Sequence, residues 1–248
     1  MAESYSIPEW DNPLILQLEA RGHVSDEERE ALRRCITQTR EIAPRQDIVR
    51  EGSTPQESNI LLEGFVYRYR LLSDGRRQIT AFHVPGDFID LHSFLLGRMD
   101  HALAAAGPCL VGIVPHACLK GMTETLPHLM RLLWRSTAID AAIHREWIVA
   151  MGRRSALGSV AHLFCELFVR LQAVGLTQAR SFHFPVTQAE LGDLTGLSTV
   201  HVNRVAQELR GSGIITWQGR TLTIVDWDRL KAVAEFNPTY LSLGPEPR

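Results

Sequence analysis

The spacing of apolar and polar positions divides the chain into three stretches. Between Arg45 and Val114, short β-type runs alternate with turn residues: Ile48-Val49, Asn59-Ile60-Leu61-Leu62, Phe65-Val66-Tyr67-Arg68-Tyr69-Arg70, Ile79-Thr80-Ala81-Phe82 and Leu110-Val111-Gly112-Ile113-Val114. Glu51-Gly52, Glu63-Gly64, Asp74-Gly75 and Pro85-Gly86-Asp87 supply the breaks. Short strands at even spacing predict a small barrel or roll. Ahead of them, residues 1 to about 40 read as an extension and one or two helices, with Ser25-Asp26-Glu27-Glu28 as a capped start before Arg29 to Thr39.

The longest helical segment runs from Leu126 to about Gly152, and Pro127 suits its first turn. Leu129, Leu132, Ser136, Ile139, Ile143 and Ala150 trace a near-heptad stripe interrupted at Glu146, while Leu133, Trp147 and Met151 form a second apolar side. A helix apolar on two sides needs two partners. The pattern predicts the roll of its own chain and the same helix of a second copy, with Ser136 and Ala150 permitting close approach. A core helix of a monomer is the alternative. Arg153-Arg154-Ser155 marks a hinge, and a further helix is expected over Ala156 to Ala173.

In the last stretch, Thr187 and Glu190 form a capping box that starts a helix at about Gln188, and Thr195-Gly196 ends it after two turns. Ser198 caps a second helix whose Val202, Val205 and Leu209 fall on one inward stripe. Its outward stripe carries Thr199, Val200, Asn203, Arg204 and Gln207. Arginine pairs bidentately with guanine and asparagine with adenine, so this face suits a DNA major groove. An ordinary helical hairpin with a polar rim is the bland alternative. Ile214 to Trp217 and Thr221 to Val225, joined by Gln218-Gly219-Arg220, predict a hairpin lying as a wing beside the probe helix, and Asp226 to Phe236 a closing helix.

The Thr-Gln-Ala-Glu-Leu-Gly opening at 187–192, the Thr-Gly-Leu-Ser turn at 195–198, Val202-Asn203-Arg204 and the Gly-Ile-Ile entry to the wing resemble the winged-helix domain of the Crp/Fnr regulators. Leu62-Glu63-Gly64, Ser73-Asp74-Gly75-Arg76 and Pro85-Gly86-Asp87-Phe88-Ile89 resemble the cyclic-nucleotide-binding β-roll at the front of the same family. The resemblance implies an α+β fold in three parts: N-terminal helices and a β-roll sensor over 1–125, a dimerisation helix over 126–152 and a winged helix-turn-helix over 153–248. It implies a homodimeric transcription factor on palindromic double-stranded DNA, with RNA polymerase as a further partner if it activates; the N-terminal pattern and the broken apolar run separately predict no membrane association and a cytoplasmic location. Thr187, Gln188, Ser198 and His201 are then expected on the DNA backbone, and Thr199, Val200, Asn203, Arg204 and Gln207 on the probe face. The expected dimer interface is Leu129, Leu132, Ser136, Ile139, Ile143 and Ala150.

The ligand signature departs from the family's pattern. Members that bind cyclic AMP follow the Gly-Asp-Phe turn with Gly-Glu-Leu and later place an Arg-Ser or Arg-Thr pair on the phosphate. Here Asp90-Leu91-His92-Ser93 follows Ile89, and Met99-Asp100-His101 stands where the arginine would be. Burying a phosphate without a cationic partner is unfavourable, so the expected effector is something other than cyclic AMP, with Asp90, His92, His101 and His144 as pocket candidates. His83, His92 and His101 recur at nine-residue intervals, with His116 beyond, which keeps a metal- or haem-dependent sensor as an alternative. No pair has the close spacing of a known ligand motif, so no metal ligand and no cofactor is assigned. An interaction module without DNA binding is the remaining alternative, opposed by the intact capped helix with Asn203 and Arg204.

Composition adds little to this. The chain of 248 residues, 45% hydrophobic and 22% charged, is long enough for two domains. From Arg153 onward there are ten Lys/Arg against eight Asp/Glu, and before it sixteen against twenty, so phosphate binding must come from local placement. The start, Met1-Ala2-Glu3-Ser4-Tyr5-Ser6, lacks the pattern of a secretory leader, and the longest apolar run, near Ala102 to Leu119, is broken by Pro108, Pro115 and His116. Cys35, Cys109, Cys118 and Cys165 have no zinc spacing and are expected as buried free thiols; only Cys35 lies where the family's iron–sulfur branch keeps its cysteine cluster. Nucleophile-elbow, dinucleotide, phosphate-loop and His-Glu-x-x-His motifs are all missing, so no enzyme is expected.

Overall fold

A computed structural model of the chain describes residues 12–244; the Met1 to Ser6 segment read for a leader lies outside them. The chain forms two compact units, one of residues up to Arg68, Phe82–Asp140 and the stretch from Leu243, the other of Tyr69–Ala81 and Ala141–Ser242. Among the described residues, no helix is long and apolar enough to cross a membrane.

In the first unit, α1 (Pro13–Glu19) begins where Asn12 Oδ1 accepts from the Leu14 N–H at 3.0 Å. α2 (Asp26–Cys35) carries the expected capping box, with the Ser25 N–H donating to Glu28 Oε2 at 2.9 Å and the Glu28 N–H to Ser25 Oγ at 3.3 Å. It stops short of Thr39 because Gln38–Ile42 is a strand, β1, which pairs antiparallel with β7 (Cys109–Pro115), Gln38 opposite Ile113. The ladder to β7 outweighs local helix propensity there. The other strands are β2 (Asp47–Val49), β3 (Glu57–Glu63), β4 (Val66–Leu71), β5 (Arg77–His83) and β6 (Ala102–Ala105), of which β4 from Tyr69 and β5 up to Ala81 fall in the second unit. They form two sheets, β1-β7-β3 and β2-β6-β4-β5. Side-chain alternation along β3 sends Ile60 and Leu62 into one core with Leu14, Leu32 and Leu129, and Leu61 into another with Ile89, Leu103 and Val111. α3 (Ser93–Leu96) is a single turn, α4 (His116–Thr125) follows β7, and α5 (Pro127–Arg153) is the long helix.

The expectation of four free thiols is corrected for two of them. Cys35 at the end of α2 and Cys118 in α4 are bridged, with Cα atoms 5.9 Å apart. The fold brings together two helices separated by 83 residues, a pairing that leaves no local spacing signal. Cys109 and Cys165 are buried free cysteines, and burial pushes the Cys109 thiol up to about 12.

In the second unit, α6 (Ala156–Ala173) is capped by Ser155, whose Oγ accepts from the Gly158 N–H at 3.0 Å. α7 (Gln188–Thr195) and α8 (Thr199–Gly211) follow, then β9 (Ile215–Gln218), β10 (Thr221–Ile224) and α9 (Trp227–Ala234). A short strand the apolar pattern did not disclose, β8 (Ser181–His183), pairs with β10, giving the order β8-β10-β9. Phe164 packs edge to face on Phe184 and Trp217, Phe182 edge to face on Phe184, and Phe184 is tilted against Trp217. Glu166, fully buried in α6, accepts from Trp147 Nε1 at 3.1 Å, Tyr240 Oη at 2.9 Å and Arg170 at 3.1 Å.

Candidate nucleic-acid interface

The two helices of the probe begin and end where the sequence requires. The Thr187 N–H donates to Glu190 Oε2 at 2.8 Å and the Glu190 N–H to Thr187 Oγ1 at 3.2 Å, closing a capping box at the start of α7. Gly196 ends α7 at φ 71°, the left-handed region glycine enters without steric cost. Ser198 Oγ then accepts from the His201 N–H at 3.3 Å and restarts the chain as α8. Gly192 lets α7 approach the turn so closely that a Cβ there would lie 2.6 Å from the Leu197 carbonyl oxygen. The crossing of the two helices depends on that missing atom.

Val202, Val205, Ala206 and Leu209 of α8 are buried. Thr187, Ser198, Thr199, Val200, Arg204 and Gln207 are exposed, and Gln188, His201 and Asn203 half-buried, so each expected contact residue is at least partly accessible. Val200 is 81% exposed, the most of any large apolar side chain in this unit. Folding gains nothing from a bare valine at that position. Asp193 of α7 accepts an ion pair from Arg77 at 2.7 Å, and its carbonyl oxygen accepts from Gln78 at 2.7 Å.

The pocket candidates separate into different environments. Asp90 is fully buried, and its two oxygens accept from the Asn59 backbone N–H at 2.6 Å and side-chain amide at 2.7 Å. Burial pushes its carboxyl up to about 7 against the pull of those bonds. It staples the segment after β5 to β3. His92 and His101 come together, ring centroids 5.0 Å apart, and Asp100 joins them. Burial, then the Arg68 charge, depresses each imidazole to about 4. His83 turns instead to Asp87 at 3.3 Å, and His116 to the Ser58 and Ser93 hydroxyls at 3.1 and 3.2 Å. His144 lies on α5, half-buried and partnered.

Two residues of this region escaped sequence reasoning. Arg68 is 8% exposed and donates to Asp140 at 3.2 Å and the Ile89 carbonyl at 3.5 Å; its inward position two residues after buried Val66 in β4 was the available signal. Asp100 had no periodic partner to mark it.

On α5, Leu129, Leu132, Ile139, Ile143 and Ala150 are buried within the chain, and Ser136 accepts from Arg21 at 3.3 Å. Intrachain packing therefore occupies the expected interface stripe. The face left exposed carries Trp134, Ala138, Ala141, Arg145, Ile148 and Gly152, at alternating separations of four and three, with Trp134 75% and Ile148 65% exposed.

The cyclic nucleotide-binding domain family matches residues 39–125 and the Crp-like helix-turn-helix domain family residues 159–233. The chain is 30% identical over 174 residues to the nitrogen fixation regulation protein FixK of Bradyrhizobium diazoefficiens, covering 70% of this chain and 72% of that one. It is 25% identical over 219 residues to the regulatory protein HlyX of Actinobacillus pleuropneumoniae, covering 88% and 91%. Among solved structures, FixK2 from Bradyrhizobium japonicum superimposes with a TM-score of 0.72 at 28% identity, over 79% of this chain and 96% of that one. With a β-rich sensor-type unit, a long helix and two capped helices in front of a wing, the chain belongs to the Crp/Fnr family and is a helix-turn-helix transcriptional regulator rather than an enzyme.

Proposed function

We propose that the protein acts in the cytoplasm as a homodimer on a two-fold operator, with the sensor over 1–125, the dimerisation helix over 126–152 and the DNA-binding domain over 153–248. The observation that carries the reading is the accessible surface of α7 and α8, on which Thr187, Gln188, Ser198 and His201 meet the backbone while Thr199, Val200, Asn203, Arg204 and Gln207 face the bases. Arg204 reads guanine through O6 and N7. The family often carries glutamate at the Val200 position, an acceptor for a cytosine amino group; valine offers only apolar contact, such as with a thymine methyl, so the operator differs there. Two-fold symmetry sets half-site centres about 34 Å apart.

A second copy is the occupant proposed for the Trp134 to Gly152 face of α5, with the buried stripe of Leu129, Leu132, Ser136, Ile139, Ile143 and Ala150 supporting it from behind. The small residues Ala138, Ala141 and Gly152 allow close helix approach, and the heptad spacing fits a two-stranded seam. Asp90, His92, His101 and His144 are the pocket candidates for an effector other than cyclic AMP, and an activating form would also contact RNA polymerase.

Selection of bound DNA from a random pool by the full chain tests the reading. Enrichment of a palindrome is expected, and no enrichment at modest salt, with or without cell extract, overturns it. On single-base operator variants, Arg204→Ala should cost about 1–3 kcal/mol and relax one position per half-site, whereas Gln188→Ala should weaken all sequences alike. A uniform loss with Arg204→Ala would make the arginine a phosphate contact.

A further inference from the structure

Among the described residues of the first unit, Nε2 of His83, His92 and His101 are buried imidazole nitrogens without a hydrogen-bond partner, and the last two belong to rings that lie together. His92 precedes α3 and His101 precedes β6, and the single turn of α3, closed at Gly97 with φ 72°, folds the chain back so that the two rings meet. Nε2 of each is buried without a hydrogen-bond partner, and His101 as a whole is 6% exposed. An unmet buried nitrogen forfeits its hydration without replacement, so a site that keeps two of them on neighbouring rings calls for an explanation. Asp100 Oδ1 lies 2.7 Å from His101 Nδ1. A carboxylate in that position holds the ring proton on Nδ1 and leaves Nε2 as a bare lone pair. The same arrangement orients histidines that ligate metals. One potential ligand atom from each of His92, Asp100 and His101 lies within 4.8 Å of the others, a spacing that small side-chain rotations contract to the roughly 3.4 Å set by bonds of about 2.1 Å.

We propose that His92, His101 and Asp100 form a binding site for one divalent transition-metal ion. The two imidazoles supply nitrogen ligands, and Asp100 supplies charge and fixes the His101 ring. The mixed nitrogen and oxygen set suits zinc, cobalt or nickel rather than calcium or magnesium, which take oxygen ligands. Solvent and further oxygen groups complete the coordination, because Asp100 is 74% exposed at its side chain and opens the cluster to the surface. The nearby Arg68 charge is met by Asp140 at 3.2 Å. The site is independent of whether α8 reads DNA, since its test is metal stoichiometry.

The full chain, stripped with a chelator, is titrated with Co2+ and, in competition with a chromophoric chelator, with Zn2+. One equivalent per chain is expected, with cobalt d–d bands and no sulfur-to-cobalt charge transfer. His92→Ala and His101→Ala should each weaken binding at least tenfold, and Asp100→Asn by about 10- to 100-fold. His23→Ala and His183→Ala, at exposed histidines, should change nothing. Asp100→Asn lies at an exposed position and keeps the fold, so it tests the site even where a histidine variant unfolds. No binding by the parent chain, undiminished binding by the His92→Ala/His101→Ala double variant, or a thiolate charge-transfer band would each overturn the proposal.

Discussion

Each unit contains a cluster of buried polar groups, and the two clusters differ in how completely they are satisfied. Around Glu166, a carboxylate with no exposure meets three donors from Trp147, Arg170 and Tyr240. Around His92 and His101, whose ring centroids lie 5.0 Å apart, each Nε2 is buried with no hydrogen-bond partner. Both clusters hold buried polar atoms, so burial alone does not tell a structural knot from a ligand site. The partners at the centre of each do: the Glu166 carboxylate has its donors as folded and ties the end of α5 to α6, while Nε2 of His92 and of His101 has no partner until something binds.

Substitutions can press on this contrast. The largest effect is expected at Glu166→Ala, which strands the Arg170 charge and the Trp147 and Tyr240 donors in the interior and should cost about 3–5 kcal/mol in denaturant melts. A loss under about 1 kcal/mol would mean the knot is ornamental. Next is acid. His162 is 2% exposed, stacked on Tyr240 and flanked by Arg154 and, at 3.7 Å, Glu146; burial first and Arg154 second lower its pKa to about 4. The unfolded chain therefore binds a proton that the folded one refuses between about pH 6.5 and 4, and stability falls as pH drops through that window, by about 3 kcal/mol below pH 4. His162→Gln should flatten that part of the curve, and an unchanged slope would assign the acid lability elsewhere. Gly192→Ala should cost about 1–3 kcal/mol through overpacking against the Leu197 carbonyl and lose DNA binding out of proportion to the melt. Retained affinity would show that α7 and the turn can separate. The smallest effect is expected at His92→Leu: in metal-free protein, replacing an unsatisfied polar group by an apolar one should change stability by less than about 1 kcal/mol or raise it. A loss comparable to that of Glu166→Ala would erase the distinction between the clusters.

What could be read from the sequence follows the range of the interactions involved. Thr187 with Glu190, Gly196 and Ser198 act within four residues, and each stands in the structure as its local chemistry requires. β8 and the Cys35–Cys118 bridge depend on partners dozens of residues away and left no pattern. α4 was missed because Gly121 and the polar ends of His116–Thr125 weaken its helical signal. On α5 the apolar stripe was visible, but a stripe says only that a helix packs, not against which chain. On the exposed face from Trp134 to Gly152, Ala138, Ala141, Arg145 and Gly152 separate Trp134 from Ile148, so no continuous apolar stripe marks it. At the histidines, nine-residue spacing proved a partial guide, since α3 brings His92 to His101 while His83 is claimed by Asp87.

The pairing of β1 with β7 has a consequence for the order of events during synthesis. A chain leaving the ribosome from its N-terminus exposes Gln38–Ile42 long before Cys109–Pro115 emerges to pair with it, whereas β9 meets β10 across a turn from Gln218 to Thr221. Distant pairings form slowly and local ones quickly, so the wing closes almost as it is made while β1 waits as an open edge. An open apolar edge would recruit neighbouring chains. Gln38, Thr39, Arg40 and Glu41 give β1 a polar, charged rim instead. The residues that hid this strand from a hydrophobic reading are those that keep it from aggregating until its partner arrives.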